Sequence, residues 1–167
     1  VLELAPKVLA STDNPLIRRA VFNAVSVAKS LRRDWKGAMQ AIDEAIAIAR
    51  QLPDPIERLS GEGNKASFLW LQGQYDDAIA TYDDCLAQLR DIPGDRALTE
   101  MTVCLGNRAF VPVVRGDFAT GLSWMEEAYA FRMSNGLQVQ GELTVPALAM
   151  LRVIHGQRES AVDFLRD

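Results

Sequence analysis

The chain has 167 residues, 49% of them apolar, enough to bury a real core, yet no apolar run approaches the ~20 residues needed to span a bilayer. Against 18 Lys and Arg stand 22 Asp and Glu, a net charge of −4 that argues against nucleic acid as a direct partner. Two cysteines, Cys85 and Cys104, are too few for a disulfide framework, and free thiols at such helical core positions suit a reducing, cytoplasmic compartment.

Residues 1–12 read as the tail of a preceding unit, interrupted by Pro6. Asp13 or Asn14 is placed to cap a helix that Pro15 opens and that runs to about Arg33. Its partner runs from about Trp35 to Leu52, where Pro53-Asp54-Pro55 stops it. Helices near 56–72 and 75–91 follow, closed by Pro93-Gly94, then helices near 96–115 and 118–134, ended by Asn135-Gly136. A last pair lies near 138–155 and 158–166. Pro112 is expected to kink its helix; Pro146 either kinks its helix or resets its start, with Thr144 as the cap. Strand-like alternation is absent from the sequence. The chain opens inside one apolar helical pattern, LELAPKVLA, and stops inside another, so it reads as a single domain, 1–167, excised from a longer protein.

These helices repeat. Ala38, Ala78, Gly121 and Ala161 recur at intervals of 40, 43 and 40, and three residues before each stands Trp35, Tyr75, Phe118 or, as the exception, Arg158. Twelve residues before each stand Ser26, Ala66, Ala109 and Ala149, all small; seven after stand Ala45, Cys85 and Ala128. Four after stand the large Ile42, Tyr82, Met125 and Leu165. Small residues mark where two helices cross at about 8–10 Å, and large ones fill the space between hairpins. A period near 40 with fixed phases marks an array of stacked units, none able to bury its apolar faces alone. The units are about 13–53, 54–94, 95–136 and 137–167.

The pattern resembles the tetratricopeptide repeat (TPR) family. The second copy matches through Gly63-Asn64-Lys65-Ala66, Gly73, Tyr75, Ala78, Tyr82 and Cys85, and the third through Asn107, Ala109, Gly116, Phe118, Gly121 and Ala128. The first copy carries Arg33 in place of the bend glycine. The resemblance implies an all-α, right-handed α-solenoid of four antiparallel helix pairs. Units longer than the usual ~34 residues resemble the helical sensor arrays of MalT/LuxR-type bacterial regulators. That resemblance implies a missing ATPase domain and a missing helix-turn-helix domain, with no nucleic-acid contact from this part.

In TPR proteins ligands are held by the first helix of each pair, above all by an Asn two residues before the small position. Carried over, that Asn is Asn64 and Asn107; the other two copies have Ala24 and Ala147. The Lys that grips a terminal carboxylate in the chaperone-tail binders is replaced by Ala20, Ser60, Val103 and Leu143, so no carboxylate clamp is expected. The same inner face offers Asn23, Val27, Ser67, Trp70, Phe110, Val113, Met150 and Val153. An apolar groove with a few amides suits a protein partner's peptide or helix, or a small effector. The alternative is that these side chains pack within the solenoid or against missing repeats. The two Asn residues hydrogen-bond either a bound peptide or a neighbouring helix. The function expected is a non-catalytic interaction or sensor module of a transcriptional regulator, or else a stand-alone adaptor.

Other chemistry is sparse. His155 sits before the bend Gly156, near a helix C-terminus where a cation is favoured, and has no partners at metal-ligand spacing. GEGNKAS does not meet the phosphate-loop pattern. No cofactor, metal or catalytic group is expected. The acidic doublets Asp43-Glu44, Asp83-Asp84 and Glu126-Glu127 recur on the second helices and read as a solvated outer wall, since adjacent helical residues diverge by about 100°. Unsatisfied end faces are expected to self-associate at high concentration.

Overall fold

The computed structural model describes residues 1–137 and 144–165. Among them are nine helices and no strand: α1 Ala5–Ser11, α2 Pro15–Leu31, α3 Trp35–Ala49, α4 Pro55–Leu71, α5 Tyr75–Leu89, α6 Asp95–Val114, α7 Phe118–Ser134, α8 Thr144–Ile154 and α9 Arg158–Phe164. The chain divides into two compact units, Val1–Thr81 and Tyr82–Asp167, with the division falling inside α5.

Four bends share one local cause. At the first, Asp34 N–H donates to Lys29 O and Arg33 N–H to Ser30 O. The same two bonds recur as Gln74 to Leu69 with Gly73 to Trp70, Asp117 to Pro112 with Gly116 to Val113, and Gln157 to Arg152 with Gly156 to Val153. This double bond satisfies the carbonyls left over at a helix end and needs a residue at positive φ. Gly73, Gly116 and Gly156 supply it at φ 83, 87 and 77, while Arg33 adopts φ 60 with a side chain attached. The turn uses up the last helical residues, so α2, α4, α6 and α8 end one or two residues before the expected limits. Asp34 and Asp117 then cap the following helices, accepting from Gly37 N–H at 2.9 Å and Thr120 N–H at 3.1 Å. Bonds from Thr120 hold the exposed Asp117 carboxyl below the usual carboxylate range, with Arg115 contributing less.

In the first unit α1 packs on α2, α2 on α3 and α3 on α4. Asn14 caps α2 by accepting from Leu16 and Ile17 N–H, and Asp54 caps α4 by accepting from Ile56 N–H. Ala38, Ile42, Ala45, Ile46 and Phe68 form the core, with Phe22 and Met39 against it. The small positions Ser26, Ala38, Ala66 and Ala78 are all fully buried. Gly61 lets α4 approach α3 closely, because a Cβ there would lie 2.9 Å from Ile46 Cγ1.

In the second unit α6 packs on α7, α7 on α8 and α8 on α9. Its core is Ala109, Leu122, Met125, Ala147, Leu148 and Leu151, with Phe110, Val113, Trp124, Tyr129 and Phe164 packed against it. A Cβ on Gly121 would lie 2.5 Å from Val113 Cγ2, which is why the small position of α7 has become glycine. Tyr129 and Phe164 meet edge to face at 4.9 Å. Pro112 is buried within α6, which continues through it. Pro146 falls in the first turn of α8, where its missing N–H costs nothing. The helix start expected near 138 and the Thr144 side chain lie outside the described residues. Of the four large phase-matched residues, Ile42, Tyr82 and Met125 are buried, whereas Leu165, just past α9, is exposed.

Candidate functional site

The first helices of the hairpins are α2 and α4 in the first unit and α6 and α8 in the second. In the first unit the structure brings two of the singled-out residues together: Asn64 Nδ2 donates to Asn23 Oδ1 at 2.9 Å. One turn earlier on α2, Arg19 pairs with Glu57 at the start of α4, their side chains only 19% and 10% exposed. Arg19 and Asn23 are four residues apart and share one face of α2, as do Glu57 and Asn64, seven apart, on α4. An ion pair and an amide pair therefore fix the register of α2 against α4. The Asn64 and Asn23 amides still have an acceptor and a donor beyond the one they share. Trp70, further along α4, is half-buried, and its indole N–H is buried without a hydrogen-bond partner.

The second unit treats its asparagine differently. Asn107 is half-buried on α6, and its side chain makes no hydrogen bond among the described residues. Phe110, one turn on, packs against the core but keeps part of its ring in solvent. On α8, Met150 and Val153 are exposed. The face that carries Asn107 thus offers an unengaged amide beside apolar surface.

The acidic doublets are exposed, but the first member of each has a basic partner on the next first helix. Lys65 Nζ lies 2.7 Å from Asp43 Oδ1, Arg108 Nε 2.7 Å from Asp83 Oδ1, and Arg152 Nη2 3.3 Å from Glu126 Oε1. Arg108 also lies 3.9 Å from Glu127 Oε2 and stacks 3.8 Å over the ring of Trp124. The first two bases precede the small residues Ala66 and Ala109 by one position, and the three acids follow Ala38, Ala78 and Gly121 by five. That fixed phase is a sequence signal for an electrostatic staple between successive hairpins.

Cys85 and Cys104 are both free and buried. Burial pushes the Cys104 thiol far above its usual range, with Cys85 and Glu100 adding to the effect, so it stays protonated and unreactive. Among the described residues no three His, Cys, Asp or Glu side chains form a metal-binding group, and no helix is long and apolar enough to cross a membrane. His155 is exposed at the end of α8.

No family model and no curated protein matches the chain. Solved structures do. Bacillus thuringiensis PlcR, in complex with the peptide PapR7 and DNA, is similar with a TM-score of 0.78 at 13% identity, over 97% of this chain and 61% of that one. BtubC (BKLC) from P. vanneervenii is similar at 0.67 and 12% identity, over 93% and 63%. A putative kinesin light chain of Podosopora anserina with nearly identical TPR-like repeats gives 0.59 at 17% identity, over 98% and 80%. The chain therefore spans under two thirds of the length of the first two. At such identities the likeness is one of fold. The fold is the all-α, TPR-like helical repeat of the α-solenoid class.

Proposed function

We propose that the chain is a non-catalytic interaction or sensor module of a multidomain cytoplasmic regulator of transcription. It takes a peptide, a partner's helix or a small effector on the faces of its first helices. The observation that carries this is Asn107, an amide without a partner on the same face of α6 as Phe110, whose counterpart in phase on α8 is the exposed Met150. The half-buried amide has its hydrogen-bonding capacity unused by the fold, and a ligand's backbone can take it up. The similar fold of PlcR, determined with a peptide and DNA, supports a peptide-sensing role by analogy. The likeness to kinesin light chain repeats favours a second reading, an adaptor in protein assembly. Two free, buried cysteines support a reducing compartment. In the first unit Asn23, Asn64 and Trp70 line the corresponding face. Exposed Val1, Leu4 and Leu165 support self-association through the ends.

The test is selection of a binder from a displayed random-peptide library, followed by titration of the synthetic peptide. Phe110→Leu and Met150→Ala are each expected to weaken it by about 1–2 kcal/mol. Glu44→Ala and Asp84→Ala, on the second helices, should leave its affinity unchanged. A selected peptide indifferent to Phe110 and Met150 binds elsewhere and removes the basis for this site.

A further inference from the structure

The first bend differs from the other three in a way the repeat pattern does not require. Its positive-φ position holds Arg33 at φ 60, where the other bends have glycine. An L-residue with a Cβ is strained there, so this bend carries a backbone cost that the glycine bends avoid. Arg33 stands at the edge of an open cavity of about 530 Å³ lined by Ser30, Leu31, Trp35 and Leu71. Leu31 is the most exposed large apolar residue of the described chain, at 81%, and Leu71 is 46% exposed. The walls of this cavity all belong to the first unit.

The charge around it is one-sided. Residues 29–36 carry Lys29, Arg32, Arg33 and Lys36 against the single acid Asp34, in a chain whose net charge is −4. Asp34 is already engaged: it caps α3 through Gly37 N–H and pairs with Lys29 Nζ at 3.6 Å. Gly37 leaves room for that pair, since a Cβ there would lie 2.3 Å from Asp34 Oδ2 and 2.5 Å from Lys29 Nζ. Arg32, Arg33 and Lys36 are exposed, and none has a side-chain partner among the described residues. The matching bends have no such cluster, reading Gln72-Gly73-Gln74, Arg115-Gly116-Asp117 and His155-Gly156-Gln157.

We propose that the first bend is a docking site for an acidic segment of a partner protein. That segment seats one large apolar side chain between Leu31, Trp35 and Leu71 and sets its carboxylates against Arg33, Arg32 and Lys36. The apolar cavity supplies burial, and the surrounding cations select against neutral and basic peptides by charge complementarity. Arg33 suits this role because its planar fork binds carboxylate in a bidentate manner. The site shares no residue with the Asn107 face and does not depend on it.

The probe is a doubly blocked peptide, Glu-Glu-Leu-Phe-Glu-Glu, titrated against the whole chain with tryptophan fluorescence as readout. Saturable binding is expected, weakening as NaCl rises from about 50 to about 500 mM, and at least about tenfold weaker for the same peptide with Lys in place of Glu. Arg33→Gly with Lys36→Glu is expected to cost at least about tenfold in affinity. The double variant should still melt at or above the parent temperature, because glycine relieves the bend and an acid is favoured in the first turn of α3. Asn107→Ala should leave this binding unchanged, so failure here and failure of the Asn107 face are separate results. The proposal is overturned if no saturable signal appears by about 5 mM probe. It is also overturned if the Lys peptide or the double variant binds equally well. A parent dimer in sedimentation that the double variant abolishes would make the occupant a second copy of the chain and would equally overturn it.

Discussion

Arg19→Ala is expected to be the most destabilising single surface-reachable change in the first unit, at about 3 kcal/mol. Arg19 and Glu57 are both mostly withdrawn from water, and removing the cation leaves a carboxylate that was desolvated in its favour. Replacing both, as Arg19→Met with Glu57→Leu, should recover most of that loss, since a well-packed apolar pair avoids the desolvation of either charge. Urea melts of the parent, the single and the double variant make the comparison. If the single variant were within about 0.5 kcal/mol of the parent, the pair would be an ordinary surface contact and would not register α2 against α4.

The second large effect is expected at Arg108. Its side chain is 16% exposed and reaches three groups on two neighbouring helices: Asp83 on α5, and Glu127 and the ring of Trp124 on α7. Asp83 and Glu127 are about half exposed and regain water when the cation goes, so the loss is smaller than for a fully buried pair. The contact with Trp124 and the packing of the arginine stem are lost outright, and Arg108→Ala should cost about 2–3 kcal/mol. Lys65→Ala should cost under about 1 kcal/mol, because the Lys65–Asp43 pair is more exposed on both sides and has no ring beneath it. Arg108→Lys keeps the charge but not the planar stacking, and should fall between. Equal melting of the Lys65 and Arg108 variants would remove the claim that the staple is uneven along the chain.

Helix positions were legible in the sequence because they rest on local chemistry: Asn14 and Pro15 open α2, Asp54 and Pro55 open α4, and the bend glycines close the first helices. The crossings were legible because only small residues fit there, and Ser26, Ala66 and Ala109 are buried as their phase requires. The ion pairs were harder to see. Asp43, Asp83 and Glu126 look like an outer wall when each helix is considered alone, and their partners come from the next hairpin. The two asparagines look equivalent by phase, yet Asn64 is bonded and Asn107 is not. The cause can be found in the sequence once the Asn23–Asn64 bond is known. Asn23 stands three residues before its small position, and the residue at that phase in the second copy is Gly63, which has no side chain to offer.

That difference gives the most direct test of the claim that the second unit carries the ligand-binding amide. Asn64→Ala and Asn107→Ala are compared for stability in urea and for affinity toward the peptide selected by display. Asn64→Ala should lose about 1–2 kcal/mol of stability, since it leaves Asn23 without its partner. Asn107→Ala should stay within about 0.5 kcal/mol of the parent in stability and weaken the peptide by about tenfold. An Asn107→Ala variant that binds the peptide as the parent does, or that is destabilised as much as Asn64→Ala, would contradict the account.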